Sequence, residues 1–399
     1  MRCVQASCVS TTSDKRSIQP LTDHRGLFDV PEEVAYFNVA NLSPHLHSVR
    51  RAGDDALNRR GRPWTIEPAD WFSDVERLRG LFARLVGADV DGIALIPATS
   101  YGFAVAARNL VVEAGRRILV LAEEYPSGIY TWQALARESD AEILTVARET
   151  DQSWTDAILG SLDERVSIVS VPNVHWTDGA LIDLEVVAAR THELGARLVI
   201  DASQSAGAMP LSVDALKPDF LVTVGYKWLL GPFGLGYLYV APQYRAGRAL
   251  EQNWILRADS EDFARLVDYR DELQPGARRF DVGQRTNFEL TPMAIAALEQ
   301  LLQWEVPHVA ELLGKRTAQM AERAEDLGLR PLPPAQRGPH MLGIELPQRL
   351  RSPLLAHLAQ DGCHAAIRGA ALRLAPHLHV NDADVDRLSA ALAAATTGA

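Results

Sequence analysis

Cysteine is scarce in this chain, with three in 399 residues at positions 3, 8 and 363. That excludes a disulfide-stapled scaffold and leaves free thiols in a reducing cytoplasm as the expectation. No cluster of His or Cys completes a site around Cys3 and Cys8, so no metal is expected. Long apolar runs are also missing: nothing approaches the roughly 18 residues of a membrane span, so no membrane partner is expected. The opening "MRCVQASCVSTTSDKRSIQP" lacks the apolar heart of a signal peptide and reads as a disordered polar tail over 1–20. Excess positive charge is absent too. Forty Lys and Arg against 51 Asp and Glu give −11, which argues against nucleic acid as a partner. A local basic pocket for a small anion stays open.

What is present is alternation. "GIALIP" (92–97), "RILVLA" (117–122), "EILTVA" (142–147), "VSIVSVP" (166–172), "ARLVIDA" (196–202) and "FLVTVG" (220–225) are short β-rich runs without polar alternation. Such strands are buried on both faces, as in a parallel sheet covered by helices. Helical stretches lie between them, for example 102–114 and 182–195. The pattern predicts a large α/β domain with a mostly parallel central sheet over residues 21–275. After it, a helix over 290–306, a loop-rich stretch at 326–340, strands in "MLGIELP" and "ALRLAPHLHV", and a closing helix predict a smaller α+β domain over 276–399. The boundary falls near 270–285, where "PGARRFDVGQRTNFE" fits either part.

The chemistry gathers at strand ends. "LVIDASQSAG" puts Asp201 at the end of one apolar strand, and "TVGYKWLLGPFGLG" (223–236) puts Lys227 at the end of the next. In open α/β sheets, ligands bind outside the carboxyl ends of the strands. Alone, Asp201 could be a helix cap and Lys227 a solvated strand-end lysine. Together they suit pyridoxal phosphate: the amine forms an imine with the aldehyde, and the acid keeps the pyridine nitrogen protonated. Burial beside Trp228 lowers the amine's pKa. "IPATSYGFAVAARNL" (96–110) runs from strand into helix through Thr99 and Ser100, where a helix N-terminus can cradle a phosphate. A plain Ser/Thr cap is the alternative. Tyr226 offers a phenol to the same phosphate, and Tyr125 in "EEYPSG" offers a ring to stack on the cofactor.

"DASQSAG" with "GYKWLLGPFGLGYLYV" resembles the signature of the class V aminotransferase family of fold type I pyridoxal-phosphate enzymes. The family includes cysteine desulfurases, kynureninase, isopenicillin N epimerase-like proteins and ergothioneine C–S lyases. The resemblance extends over nearly the whole chain after about residue 25. It implies that Asp201 pairs with the pyridine nitrogen, Gln204 bonds the cofactor 3′-oxygen and Lys227 carries the cofactor. Thr99, Ser100 and Tyr226 match phosphate positions, and Tyr125 matches the stacking position. It implies a homodimer with shared active sites, in which "RRFDVGQRTNF" reaches the partner's phosphate through Gln284 and Thr286. For the amino-acid substrate, Arg373 in "ALRLAPHLHVNDADVDRL" becomes the α-carboxylate clamp. Asn41 in "FNVANLSP" and His175 or Trp176 in "NVHWTDG" are candidate substrate contacts, with a packed Trp and a solvated His as the alternative.

Departures matter. Desulfurases carry an acceptor cysteine on a flexible loop, whereas Cys363 starts a strand here. Val224 stands at the usual serine and Tyr226 at the usual histidine. The implied reaction is therefore a lyase: Cα-proton abstraction with loss of a β- or γ-substituent, including C–S cleavage. Aminotransfer or epimerisation is the alternative, a desulfurase is less favoured, and a catalytically silent cofactor-binding protein comes last.

Overall fold

The computed structural model describes residues 24–149 and 152–397. The tail expected over 1–20, with Cys3 and Cys8, lies outside them.

All six expected strands of the large part form. In chain order, after a two-residue β1 (Ala35–Tyr36), they are β2 (Ile93–Ile96), β3 (Arg117–Leu121), β4 (Glu142–Val146), β5 (Val166–Pro172), β6 (Arg197–Asp201) and β7 (Phe220–Val224). A seventh, β8 (Gly236–Val240), comes from the glycine-rich stretch after the lysine. The sheet order is β2-β8-β7-β6-β5-β3-β4. β8 runs antiparallel to both neighbours, and the other pairings are parallel. β2 therefore points the same way as β3 to β7, and all six deliver their carboxyl ends to one edge. β2, β7 and β8 are buried along their length, which is why they lack polar alternation. Gly236 shows how β8 fits: a Cβ there would lie 2.5 Å from the Thr223 carbonyl oxygen across the ladder.

Helix bounds differ where local chemistry competes. The helix expected over 102–114 spans Thr99–Asn109. It stops because the Asn109 side chain turns to the backbone of Arg248, accepting from its N–H and donating to its carbonyl. The helix expected over 290–306 ends at Trp304; Glu305 takes φ 63°, and a second helix, Val306–Asp326, starts with Pro307 in its first turn. Proline offers no N–H to continue the earlier ladder.

The second sheet holds β9 (Arg330–Pro331), β10 (Leu342–Glu345), β12 (Ala366–Arg368) and β13 (Ala371–Leu374) in the order β12-β13-β10-β9, all antiparallel. β11 (Cys363–His364) pairs with β1 in parallel. "ALRLAPHLHV" is strand only as far as Leu374; Pro376 follows, and His377 and His379 sit buried in a loop. The cores do not follow chain order. Ala294, Leu298 and Leu301 of the helix Leu290–Trp304 pack into the core of the large sheet, while Ala35 and Phe37 pack with Leu342, Leu374 and Leu388. Asp281 is fully buried, accepting from Arg79 at 2.8 Å, Arg285 at 2.6 Å and the Leu95 N–H at 2.7 Å, so residues 276–304 group with the large sheet.

Candidate active site

The carboxyl edge of the sheet closes a narrow cleft of about 20 Å³ lined by Thr99, Glu124, Tyr125, Asp201, Gln204 and Lys227, among others. Asp201 ends β6, level with Pro172 of β5 and Val222 of β7. Its Oδ1 accepts the Ser203 N–H at 2.8 Å. Burial pushes the Asp201 pKa up, while bonds from Ser203 and the charge of Lys227 pull it back. Lys227 follows β7 with its Nζ 5.6 Å from the centre of the Tyr125 ring and 5.9 Å from that of Tyr226. Among the described residues the amine has no hydrogen-bond or ion-pair partner. Burial pulls its pKa down to about 8, with Asp201 opposing and Arg373 and Arg368 reinforcing the shift. The neighbouring Trp228 is buried and donates its Nε1–H to Gln204 Oε1 at 2.9 Å. Gly207, at φ 92°, lets the "DASQSAG" turn close on this element: a Cβ there would meet the Trp228 carbonyl oxygen at 2.5 Å.

Most of the expected positions converge, and some do not. Thr99 opens its helix as the first helical residue; the cap is Ala98, which has no side chain to satisfy the first-turn N–H groups. Ser100 lies one residue on, with its side chain exposed. Gln204 donates Nε2–H to the Ala40 carbonyl at 3.1 Å, leaving its second amide hydrogen for a ligand. Arg373 is buried, donating to the Trp176 carbonyl at 2.6 Å and to Asn38 Oδ1 at 3.2 Å, and its Nε has no partner. Burial lowers its pKa to about 10.

The candidates at "NVHWTDG" and "FNVANLSP" divide: Trp176 reaches the cleft, whereas His175 and Asn41 do not. His175 is packed: its ring stacks on Trp154 at 5.0 Å, Nδ1 meets Thr177 Oγ1 at 2.7 Å, and Nε2 faces the Ala122 carbonyl at 3.2 Å. Trp176 lines the cleft, edge-on to Tyr125 at 5.9 Å. Asn41 is exposed, and the asparagine that meets Arg373 is Asn38. Gln284 and Thr286 do not line this cleft. Gln284 is exposed, and the buried Thr286 donates its hydroxyl to the Trp71 carbonyl at 2.6 Å.

Two further groups belong to the cleft. Glu124 accepts the Tyr125 N–H on Oε1 at 2.7 Å, while its buried Oε2 has no partner. Burial, with Asp201 adding to it, raises its pKa to about 8. The Ser203 side chain also lies in the cleft, beside the Asp201 carboxylate. Position alone announces both, since each sits two or three residues past a strand end.

The class-V aminotransferase family model matches residues 69–368, and the chain belongs to that family. It is therefore a pyridoxal-phosphate enzyme. Relatives include a protein named uncharacterized aminotransferase YcbU of Bacillus subtilis (strain 168), 27% identical over 82% of this chain and 84% of its own length. The kynureninase of Deinococcus radiodurans is 31% identical over 66% of this chain and 65% of its own length. Among solved structures, a mutant of C-DES with glycine covalently linked to its PLP cofactor matches with a TM-score of 0.84. That match covers 93% of this chain and 99% of the other at 17% identity, a likeness of fold. The residues present fit the cofactor: an unpartnered amine, the Asp201 carboxylate, an uncapped helix start and the orphan Glu124 Oε2 share one cleft.

Proposed function

We propose that this chain is a lyase acting on an amino acid, removing the Cα proton and expelling a β- or γ-substituent, as in C–S cleavage. The observation that supports it most is the desolvated, unpartnered Lys227 amine in one cleft with Asp201. Pyridoxal phosphate, when bound, supplies an aldehyde and a ring that accepts electron density. Lys227 would hold it through its amine, Asp201 through the pyridine nitrogen and Gln204 through the 3′-oxygen. Thr99, Ser100 and Tyr226 would hold the phosphate, and Tyr125 would cover one ring face. Burial that lowers its pKa favours the neutral amine, so once the substrate's own amine has displaced it Lys227 would take the proton from substrate Cα and return one later. Arg373 would take the α-carboxylate and hold the Cα–H bond toward that amine. Gln284, exposed on the surface, would serve the cleft of a second copy in a homodimer.

Cys363 argues for a lyase over a desulfurase. Its thiol is buried in a strand and its pKa is raised to about 11, which suppresses the thiolate a sulfur acceptor needs. Aminotransfer is the second reading, favoured by the YcbU match over most of the chain. The deciding assay follows keto acid and free ammonia from cysteine conjugates and other amino acids, with and without an added keto acid. Ammonia release that survives Cys363→Ala is the expected result. Amino transfer without ammonia would favour the aminotransferase, and a dead Cys363→Ala would restore the desulfurase.

A further inference from the structure

The mouth of the cleft carries a second arginine. β12 pairs with β13 so that Ala366 lies opposite Arg373 and Arg368 opposite Ala371. Residues directly opposite in an antiparallel pair share a face, as do residues two apart in one strand. Arg368 therefore projects from the same face of the hairpin as Arg373. Both reach Trp176: Arg373 Nη1 donates to its carbonyl at 2.6 Å, and the Arg368 guanidinium carbon lies 5.8 Å from the centre of its ring. The charges of both bear on the Lys227 amine, which places them around one space.

Arg368 is uncommitted there. Its one hydrogen bond runs from Nη1 to the carbonyl of its own neighbour Ile367 at 2.9 Å, and among the described residues it has no ion-pair partner. A Cβ on Gly369 would come within 3.9 Å of Glu123 Oε2, yet that nearby carboxylate forms no ion pair with Arg368. A half-buried, unpaired guanidinium beside an aromatic wall, in a chain of net charge −11, is a prepared anion site.

We infer that Arg368 and Arg373 form a two-anion subsite, and that the substrate is an amino acid whose side chain carries a second acidic group. This rests on the amino-acid reading above. Arg373 takes the α-carboxylate, and Arg368, farther along the same face, takes the side-chain anion with Trp176 between them.

The test uses the cofactor-loaded enzyme and the absorbance change on mixing with aspartate, glutamate and 2-aminoadipate, against alanine, 2-aminobutyrate and norvaline. The best acidic member should bind at least about tenfold tighter than its neutral counterpart, about 1.4 kcal/mol. That preference should shrink with salt. Arg368→Leu should erase the preference, and Arg368→Lys should keep part of it. Neutral amino acids binding as tightly as acidic ones, or a preference that survives Arg368→Leu, would overturn the inference and leave the amino-acid reading standing. A spectrum unmoved by every amino acid would overturn both.

Discussion

Two concavities of this molecule differ in kind. The cavity bordered by Gln252–Asp271 is large, about 630 Å³, and open. Its walls carry many charges, but they neutralise one another at the surface, as in the pairs Arg265–Asp268 and Arg270–Asp259. Tyr269 on its rim is 97% exposed. The Lys227 cleft is smaller and holds groups taken out of water: an amine pulled down, and two carboxyls, Asp201 and Glu124, pushed up. Desolvated groups whose protonation has moved toward neutrality mark chemistry better than volume does.

The contrast can be broken by mutation, and the largest effect belongs to the cleft. Asp201→Ala should keep the fold and lower kcat at least about a hundredfold, because an unprotonated pyridine withdraws electrons poorly. Near-normal kcat in steady-state assays would make Asp201 a turn residue held by Ser203. Arg373→Ala should raise KM about tenfold or more with a smaller change in kcat, as expected when a carboxylate clamp is lost.

Glu124 tests the same contrast through stability. Its folded pKa is raised to about 8, above the ordinary carboxylate range. The folded state therefore holds that proton more tightly than the unfolded one, and stability falls as pH rises from about 4.5 to about 8. Glu124→Gln removes the penalty. The cofactor-free variant should gain about 2–5 °C in Tm over wild type at pH 9 and little at pH 5. An equal difference at both pH values would show that Glu124 is not held neutral. The smallest effect belongs to the open cavity. Arg270→Ala breaks an exposed ion pair and should change stability by under about 1 kcal/mol and activity by less than about twofold. A large loss of turnover would mean that the 252–271 segment serves catalysis.

Legibility in the sequence followed the same divide. Strand ends were readable because a buried parallel strand is an unbroken apolar run, so Asp201 and Lys227 stand out where the run stops. β8 was hidden because its glycines look like loop, although Gly236 is there to let backbone approach backbone. Asn38 was available from its pattern: Phe37 and Val39 are buried, so the residue between them faces the other way, toward Arg373. His175 was misleading because a buried histidine between Trp154 and Thr177 looks in sequence like a loop histidine. Arg368 and the grouping of residues 276–304 with the large sheet depend on register and packing between distant segments, which no local pattern carries.

The central claim is that Lys227 holds the cofactor. Borohydride reduction of the loaded protein, followed by proteolysis and mass spectrometry, tests it most directly. The account predicts one modified peptide, the one containing Lys227, and no adduct in Lys227→Ala. An adduct on another lysine, or an unmodified Lys227 peptide in protein that retains the cofactor, would contradict it.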